Sequence, residues 1–195
     1  MESFMKRNFV KSTVLCLSAL ALMPSLAATE KYTFDPMHTQ VLFHINHFGF
    51  SNPAGKWLVE GSLDLDKDKI MKSKVSATIN IANMNTGIPE LDKHLKSELF
   101  FDVAKFPTAT FVSDKIDRVG SNKAVVHGTL TLHGVSKPIR LNVKLNKMGI
   151  NPINNKFTAG FTASTKFKRS DFGLKALLPG LGDEVTLDIE SEAVK

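Results

Sequence analysis

The chain has 195 residues, with 25 Lys and Arg against 19 Asp and Glu, and a formal charge of +6 at neutral pH. That excess is modest and spread along the sequence, which argues against the dense basic footprint of a nucleic-acid binder. The single cysteine is Cys16, so everything after the first segment lacks a thiol nucleophile, a thiolate metal ligand or a disulfide.

The first 27 residues read as a secretory signal peptide. Lys6, Arg7 and Lys11 form a basic opening, and Val14 to Met23 is an apolar run too short to span a bilayer. Ser25-Leu26-Ala27 then places small residues where a signal peptidase reads them. Cleavage near Ala27 leaves residues 28–195 as one exported domain, long enough to enclose a real core. No later apolar stretch is long enough to cross a membrane, so the mature protein is expected to be soluble, without a transmembrane segment.

Period-two alternation governs the rest of the chain. Val41, Phe43 and Ile45 share one face of a first strand, with Leu42 as the exception on the other. Trp57, Val59, Gly61, Leu63 and Leu65 share a face of the second, and Val75, Ala77, Ile79 and Ile81 a face of the third. The pattern then changes period. Ile88, Leu91, Leu95 and Leu99 recur at three- and four-residue spacing, which predicts one short amphipathic helix near residues 88–99. Phe100, Phe101, Phe106 and Pro107 follow it as an aromatic anchor. Alternation resumes with Ala109 and Phe111 in a strand running to about Arg118. Then come Val126, Gly128, Leu130 and Leu132; Ile139, Leu141, Val143 and Leu145; Phe157, Ala159, Phe161, Ala163 and Phe167; and Val185, Leu187, Ile189 and Ala193.

Eight strands, each apolar on one face, with short connections such as residues 119–122 and 133–138, imply antiparallel neighbours in meander order. The fold class is all-β, an eight-stranded antiparallel up-and-down barrel, with a two-sheet sandwich as the competing arrangement. The small inward residues Gly61, Ala77, Gly128, Ala159 and Ala163 leave room beside Phe43, Trp57, Phe111 and Phe161. Periodicity alone does not separate a ligand cavity from large and small residues that interlock.

The six histidines show no chelating spacing. His44 and His47 fall on opposite faces of a strand, and no His-x-His or His-Glu-x-x-His occurs. Nor is there a Gly-x-Ser-x-Gly elbow or a Gly-rich phosphate loop. Asp35 with His38, and Asp92 with His94, read as structural hydrogen-bonding pairs rather than halves of a triad. No catalytic residue, metal or cofactor is expected.

An ordered series of short motifs carries a resemblance. It begins with Tyr32-Thr-Phe-Asp35 and His38-Thr39, then Gly61-x-Leu63-x-Leu65-Asp66. Asp92-Lys-His94-Leu95-x-Ser97 leads to Phe100/Phe101-Asp102 and Phe106-Pro107-x-Ala109-x-Phe111. Gly128-x-Leu130-Thr131-Leu132-x-Gly134-Val135-x-Lys137-Pro138 and Arg169-x-Asp171-Phe172-Gly173 follow, and the series closes on Gly182-Asp183-x-Val185-x-Leu187-x-Ile189-Glu190. In this order the sequence resembles the YceI family, the polyisoprenoid-binding, lipocalin-like proteins of bacterial periplasms.

The resemblance implies a lipocalin-like barrel around a long apolar tunnel, and a carrier or sequestering protein rather than an enzyme. The implied partner is an isoprenoid or other long-chain lipid: a polyprenyl chain, a quinone or a fatty-acid-like amide. A homodimer is compatible with it. The expected lining is Val41, Phe43, Ile45, Trp57, Val59, Val75, Ile79, Phe111, Leu130, Leu141, Phe161 and Phe167. The basic cluster from Lys166 to Lys175, with Arg169 at its centre, is the candidate for a polar or anionic head group, and Leu177, Leu178 and Leu181 are candidates to guard the mouth. The helix near residues 88–99 is then expected to cap one end. The alternatives are a packed barrel acting through its surface in envelope stress or assembly, and a lipid-directed hydrolase.

Overall fold

The computed structural model describes residues 29–195, so the expected signal peptide lies outside the described residues. The alternating segments form nine strands: β1 (Glu30–Phe34), β2 (Gln40–His47), β3 (Ala54–Leu65), β4 (Lys74–Asn80), β5 (Thr108–Arg118), β6 (Lys123–Leu132), β7 (Val135–Ile150), β8 (Phe157–Lys168) and β9 (Leu181–Val194). One helix, α1 (Pro89–Lys96), joins β4 to β5, and 3-10 turns occupy Ile70–Lys72 and Arg169–Phe172. From β2 to β9 each strand pairs antiparallel with the next, and β9 returns to pair with β2. That is a closed up-and-down ring of eight strands, the arrangement that one-sided strands and short connections favour.

The ring has the expected eight strands, and a short ninth strand, β1, adds to it. β1 shares one position of the ring with β2. Tyr32 lies opposite Leu63 of β3, and Phe34 opposite Ala193 of β9. Further along the same two neighbours, Val41 of β2 lies opposite Trp57 and Ile189. Residues 35–38 turn outward between the two strands, and Thr39 turns back in. His38 Nδ1 and Asp35 Oδ2 meet at 2.8 Å, and Met37 N donates to Asp35 Oδ1 at 2.9 Å. Five residues interrupted by such a turn are too few for a period of two to register.

The connection expected at residues 133–138 is also shorter. Only His133 and Gly134 turn, at φ of 51° and 74°, the two-residue geometry that matches strand twist. A Cβ at Gly134 would run into the Phe106 ring. Val135 to Pro138 already belong to β7. Pro138 pairs there with Thr129 of β6, while the β7–β8 ladder is confined to Asn142 onward. Its missing N–H therefore breaks no ladder on the β8 side.

Two bulges change which residues face inward. The register shifts between Ser113 and Lys115 in β5, and between Leu145 and Lys147 in β7. Each extra residue reverses the parity. Beyond them the even-numbered Ile116 and Met148 turn to the core in place of the odd-numbered series.

The ring has two distinct ends. The helix end gathers the β2–β3, β4–β5, β6–β7 and β8–β9 connections. The opposite end gathers the β3–β4, β5–β6 and β7–β8 connections with both ends of the described chain. At this second end Glu30 binds three partners: Lys67 Nζ at 2.6 Å, Lys195 Nζ at 3.0 Å and the Tyr32 hydroxyl at 2.8 Å. Lys67, Lys195 and the hydroxyl, in that order, hold the Glu30 carboxyl down to about 2. In the unfolded chain it titrates at the ordinary value near 4.5. Between these values the unfolded state binds the extra proton, so this contribution is complete above pH 4.5 and is lost as pH falls toward 2. Replacing Glu30 with Gln is expected to flatten the stability profile over that window, read by denaturant unfolding at a series of pH values.

Candidate ligand-binding cavity

The inward side chains do not fill the ring. They enclose a cavity of about 330 Å³, within the ~300–1,000 Å³ common for small-molecule sites. It is long rather than round. Along β3 its wall runs from Trp57 to Leu65, a rise of roughly 26 Å of strand at about 3.3 Å per residue. On the β7–β8 side, Ile139, Leu141, Val143, Leu145, Met148 and Phe161 line it and are only half-buried. In a packed barrel these inward apolar groups would be covered by side chains from across the ring. Here no side chain covers them fully.

Ten of the thirteen expected binding residues stand in this wall: Val41, Trp57, Val59, Val75, Ile79, Phe111, Leu130, Leu141, Phe161 and Phe167. Phe43, Ile45 and Arg169 do not. Phe43 faces inward as alternation requires, but it stacks on the Trp57 ring at 4.3 Å with the planes 31° apart, in the plug beyond the cavity. Ile45 lies one pair further toward the helix end, opposite Val185. Ile116, Met148, Leu63 and Leu65 are wall residues absent from the expected set. For Ile116 and Met148 the bulges hide the signal. Leu63 and Leu65 were already marked by alternation.

Arg169 is buried, at 4% exposure, and faces protein carbonyls instead of a ligand. Its Nε donates to Gly182 O at 2.8 Å and Nη1 to Leu174 O at 2.7 Å. Nη2 donates to Ala176 O at 2.8 Å and to Leu181 O at 3.1 Å. Four of its five N–H groups are thus committed, and they tie the irregular 173–182 segment to the ring. Burial lowers its affinity for the proton, and the Asp183 carboxylate works against that shift. The guanidinium is structural here, and it does not point at a head group.

The helix end is stoppered. Phe101 meets Trp57 edge-on, with centroids 5.7 Å apart, and Phe172 meets Phe167 at 5.1 Å. Leu95, Phe101 and Val103 pack against the core. The helix covers this end less completely than its spacing suggests, because Ile88 and Leu99 point to solvent at 54% and 57% exposure. Asp92 accepts from Thr86 N and Thr86 Oγ1, both at 2.7 Å, and so fastens α1 to the loop before it. His94 packs edge-on against Phe100 at 4.9 Å.

At the other end the wall continues onto exposed loop residues: Lys67, Asp68, Arg118, Asn122 and Lys123. The cavity therefore reaches solvent there, opposite the Lys166–Lys175 cluster that the sequence favoured as its mouth. Lys67 is anchored by Glu30 and sits 4.6 Å above the Phe157 ring. Arg118 donates to Gly120 O at 2.9 Å and Ser121 O at 3.3 Å, which shapes the β5–β6 turn. The rim is polar and mainly cationic, and the interior behind it is apolar.

Asp35, His38 and Glu192 bring potential metal-ligand atoms within 4.8 Å of one another, the one such group among the described residues. It lies at the outward turn between β1 and β2. Its histidine Nδ1 is already engaged by Asp35, whose carboxylate raises the His38 pKa. That hydrogen bond holds the turn.

Residues 32–193 match the family model of the YceI-like domain. The chain belongs to the YceI family. A UPF0312 protein of Photorhabdus laumondii is 39% identical over 191 residues, spanning 95% of this chain and 98% of that one. A UPF0312 protein of Pectobacterium carotovorum is 36% identical over 191 residues, with the same shares. Among solved structures, the Campylobacter jejuni YceI protein superposes with a TM-score of 0.69 at 32% identity, covering 77% of this chain and 89% of its own. A polyisoprenoid-binding domain from Saccharophagus degradans, implicated in plant cell wall breakdown, shares the fold at a TM-score of 0.64 and 16% identity, over 84% of this chain and 97% of that one.

The buried guanidinium gives a direct test. Arg169→Met removes four donors and strands the carbonyls of Leu174 and Leu181, both buried, where each unmatched group costs about 1–3 kcal/mol. The expected result is a loss of at least about 3 kcal/mol in chemical denaturation. A neutral substitution would contradict the structural role.

Proposed function

We propose that this protein is a periplasmic carrier that sequesters a long apolar chain of isoprenoid type in the barrel interior. The observation that carries the reading is the cavity: elongated, apolar along its length, closed at the helix end and polar at its rim. Half-buried Ile139, Leu141, Val143, Leu145 and Phe161 present an apolar surface that a hydrocarbon chain would cover. Burying one methylene is worth about 0.8 kcal/mol, so a five-carbon isoprene unit is worth roughly 3–4 kcal/mol gross. A few units exceed the ~4–15 kcal/mol lost in association. Selectivity then rests on the cavity's length and on the groups at its two ends.

The polyisoprenoid-binding domain of Saccharophagus degradans, which shares this fold, supports the ligand class. The signal peptide expected in residues 1–27 and the absence of cysteine beyond it fit an exported protein held together by packing alone. The unfilled interior weighs against a solid barrel acting only through its surface. The hydrolase alternative finds little support, since Asp35 and His38 secure a turn on the outer wall and Asp92 serves Thr86.

Phe161 separates cavity from core. In Phe161→Arg the charge lies along the ligand path with a hydrated mouth to reach, so the barrel is expected to fold with an unchanged far-UV spectrum. Affinity for a fluorescent prenyl chain is expected to fall at least about 100-fold, which corresponds to about 2.7 kcal/mol. Unchanged binding would contradict the reading. A variant that fails to fold would mark Phe161 as solid core, where an unpaired charge is prohibitive.

A further inference from the structure

The open end of the barrel carries apolar side chains that the fold leaves in water. Each of the three loops at this end supplies one. Met71 in the β3–β4 connection is 67% exposed, Val119 in the β5–β6 turn 60%, and Ile153 in the β7–β8 turn 92%. Single exposed apolar residues are ordinary on a protein surface. These are set apart by their placement. The three connections alternate round the ring, and the cavity wall runs onto two of them, at Lys67, Asp68, Gly120 and Ser121.

The same end carries an excess of cations. Lys69, Lys72, Arg118, Lys123 and Lys156 are exposed, and none has a carboxylate at ion-pair distance among the described residues. Most acids here are engaged. Glu30 holds Lys67 and Lys195, and Asp117 holds Lys115 and His127. Asp66 is buried and accepts from Asp68 N and Lys69 N. Asp68 is exposed and reduces the excess without cancelling it. The helix end differs. It too shows apolar groups, with Phe50 at 90% exposure, but Glu90, Glu98, Asp171 and Glu184 stand exposed beside its lysines, and the cavity is closed there.

We propose that the open end of the barrel docks on an anionic lipid bilayer. Met71, Val119 and Ile153 enter the interfacial layer, and the cations of the same loops meet the lipid phosphates. Exposed apolar area and basic charge add in binding of this kind. Separate tips around an opening give a rigid protein partner no continuous patch of the size a stable interface needs. A fluid interface admits each tip on its own. It also places the mouth against hydrocarbon, so a chain could pass between bilayer and cavity without crossing water. Docking goes beyond the carrier reading and can fail separately from it.

The test sediments the purified protein with vesicles of phosphatidylcholine, and with vesicles of equal parts phosphatidylcholine and phosphatidylglycerol. Binding to the mixed vesicles is expected to be at least about tenfold tighter and to weaken as salt is raised. Two double variants, Val119→Ser with Ile153→Ser and Lys69→Ser with Lys156→Ser, are each expected to weaken it at least about tenfold. All four side chains are exposed and none belongs to the cavity wall. Binding of a fluorescent prenyl chain in vesicle-free buffer is therefore expected to stay unchanged in both. Phe50→Ser, at the helix end, is expected to leave vesicle binding unchanged. Binding without preference for the anionic lipid, or binding that survives both double variants, would overturn the docking assignment. So would binding that Phe50→Ser abolishes, or self-association through these loops in place of vesicle binding. An unsubstituted protein that docks on the mixed vesicles but takes up no prenyl chain would overturn the carrier reading and uphold the docking.

Discussion

Closure of the ring through the β9–β2 ladder is the constraint on which the rest of this structure depends. It leaves β2 and β9 without a free edge along their shared ladder and forces one face of every strand inward. An eight-stranded ring encloses a fixed width, so the contents of the interior depend on which residues alternate into it. Here the inward series places Ala77, Ala109, Ala124 and Ala163 beside larger neighbours in the cavity wall. The small residues stop short of the centre, and a long apolar space remains. A cavity of this kind follows from backbone closure combined with side-chain size.

The two ends of the barrel are finished by different chemistry. At the helix end, Phe43 stacks on Trp57 and Phe101 meets it edge-on. The buried Arg169 binds the last irregular segment through carbonyls. At the other end, charged residues surround an opening, and the Glu30–Lys67–Lys195 group joins the first strand of the described chain to its last residue. One end resists solvent and the other admits it. That polarity gives a bound chain a direction.

Much of this was legible in the sequence, because alternation and barrel closure obey the same period of two. The inward sets of β3, β4, β6 and β8 could be read directly, and so could the helix that interrupts them. What escaped had physical causes. β1 is five residues long and is cut from β2 by the Asp35–Thr39 turn. Ile116 and Met148 enter the wall only after bulges reverse the parity, and an extra residue in a strand leaves little trace in composition. The helical stripe was right for Leu95, but Ile88 and Leu99 lie just beyond the ends of α1 and turn outward. Arg169 is the clearest case. A cationic cluster in a loop ordinarily reads as solvated, and only the folded backbone reveals four carbonyls converging on one guanidinium. The mouth was placed at the wrong end for the same reason, since the leucines that suggested it belong to the stoppered side.

The central claim is that the interior is occupied by a lipid in the protein's own setting. Native mass spectrometry of protein purified gently from its own host, followed by organic extraction, tests it most directly. The account predicts a discrete added mass that extraction removes and that returns as a long-chain apolar compound in the extract. A spectrum showing only the bare polypeptide across repeated preparations, with no lipid in the extract, would contradict it.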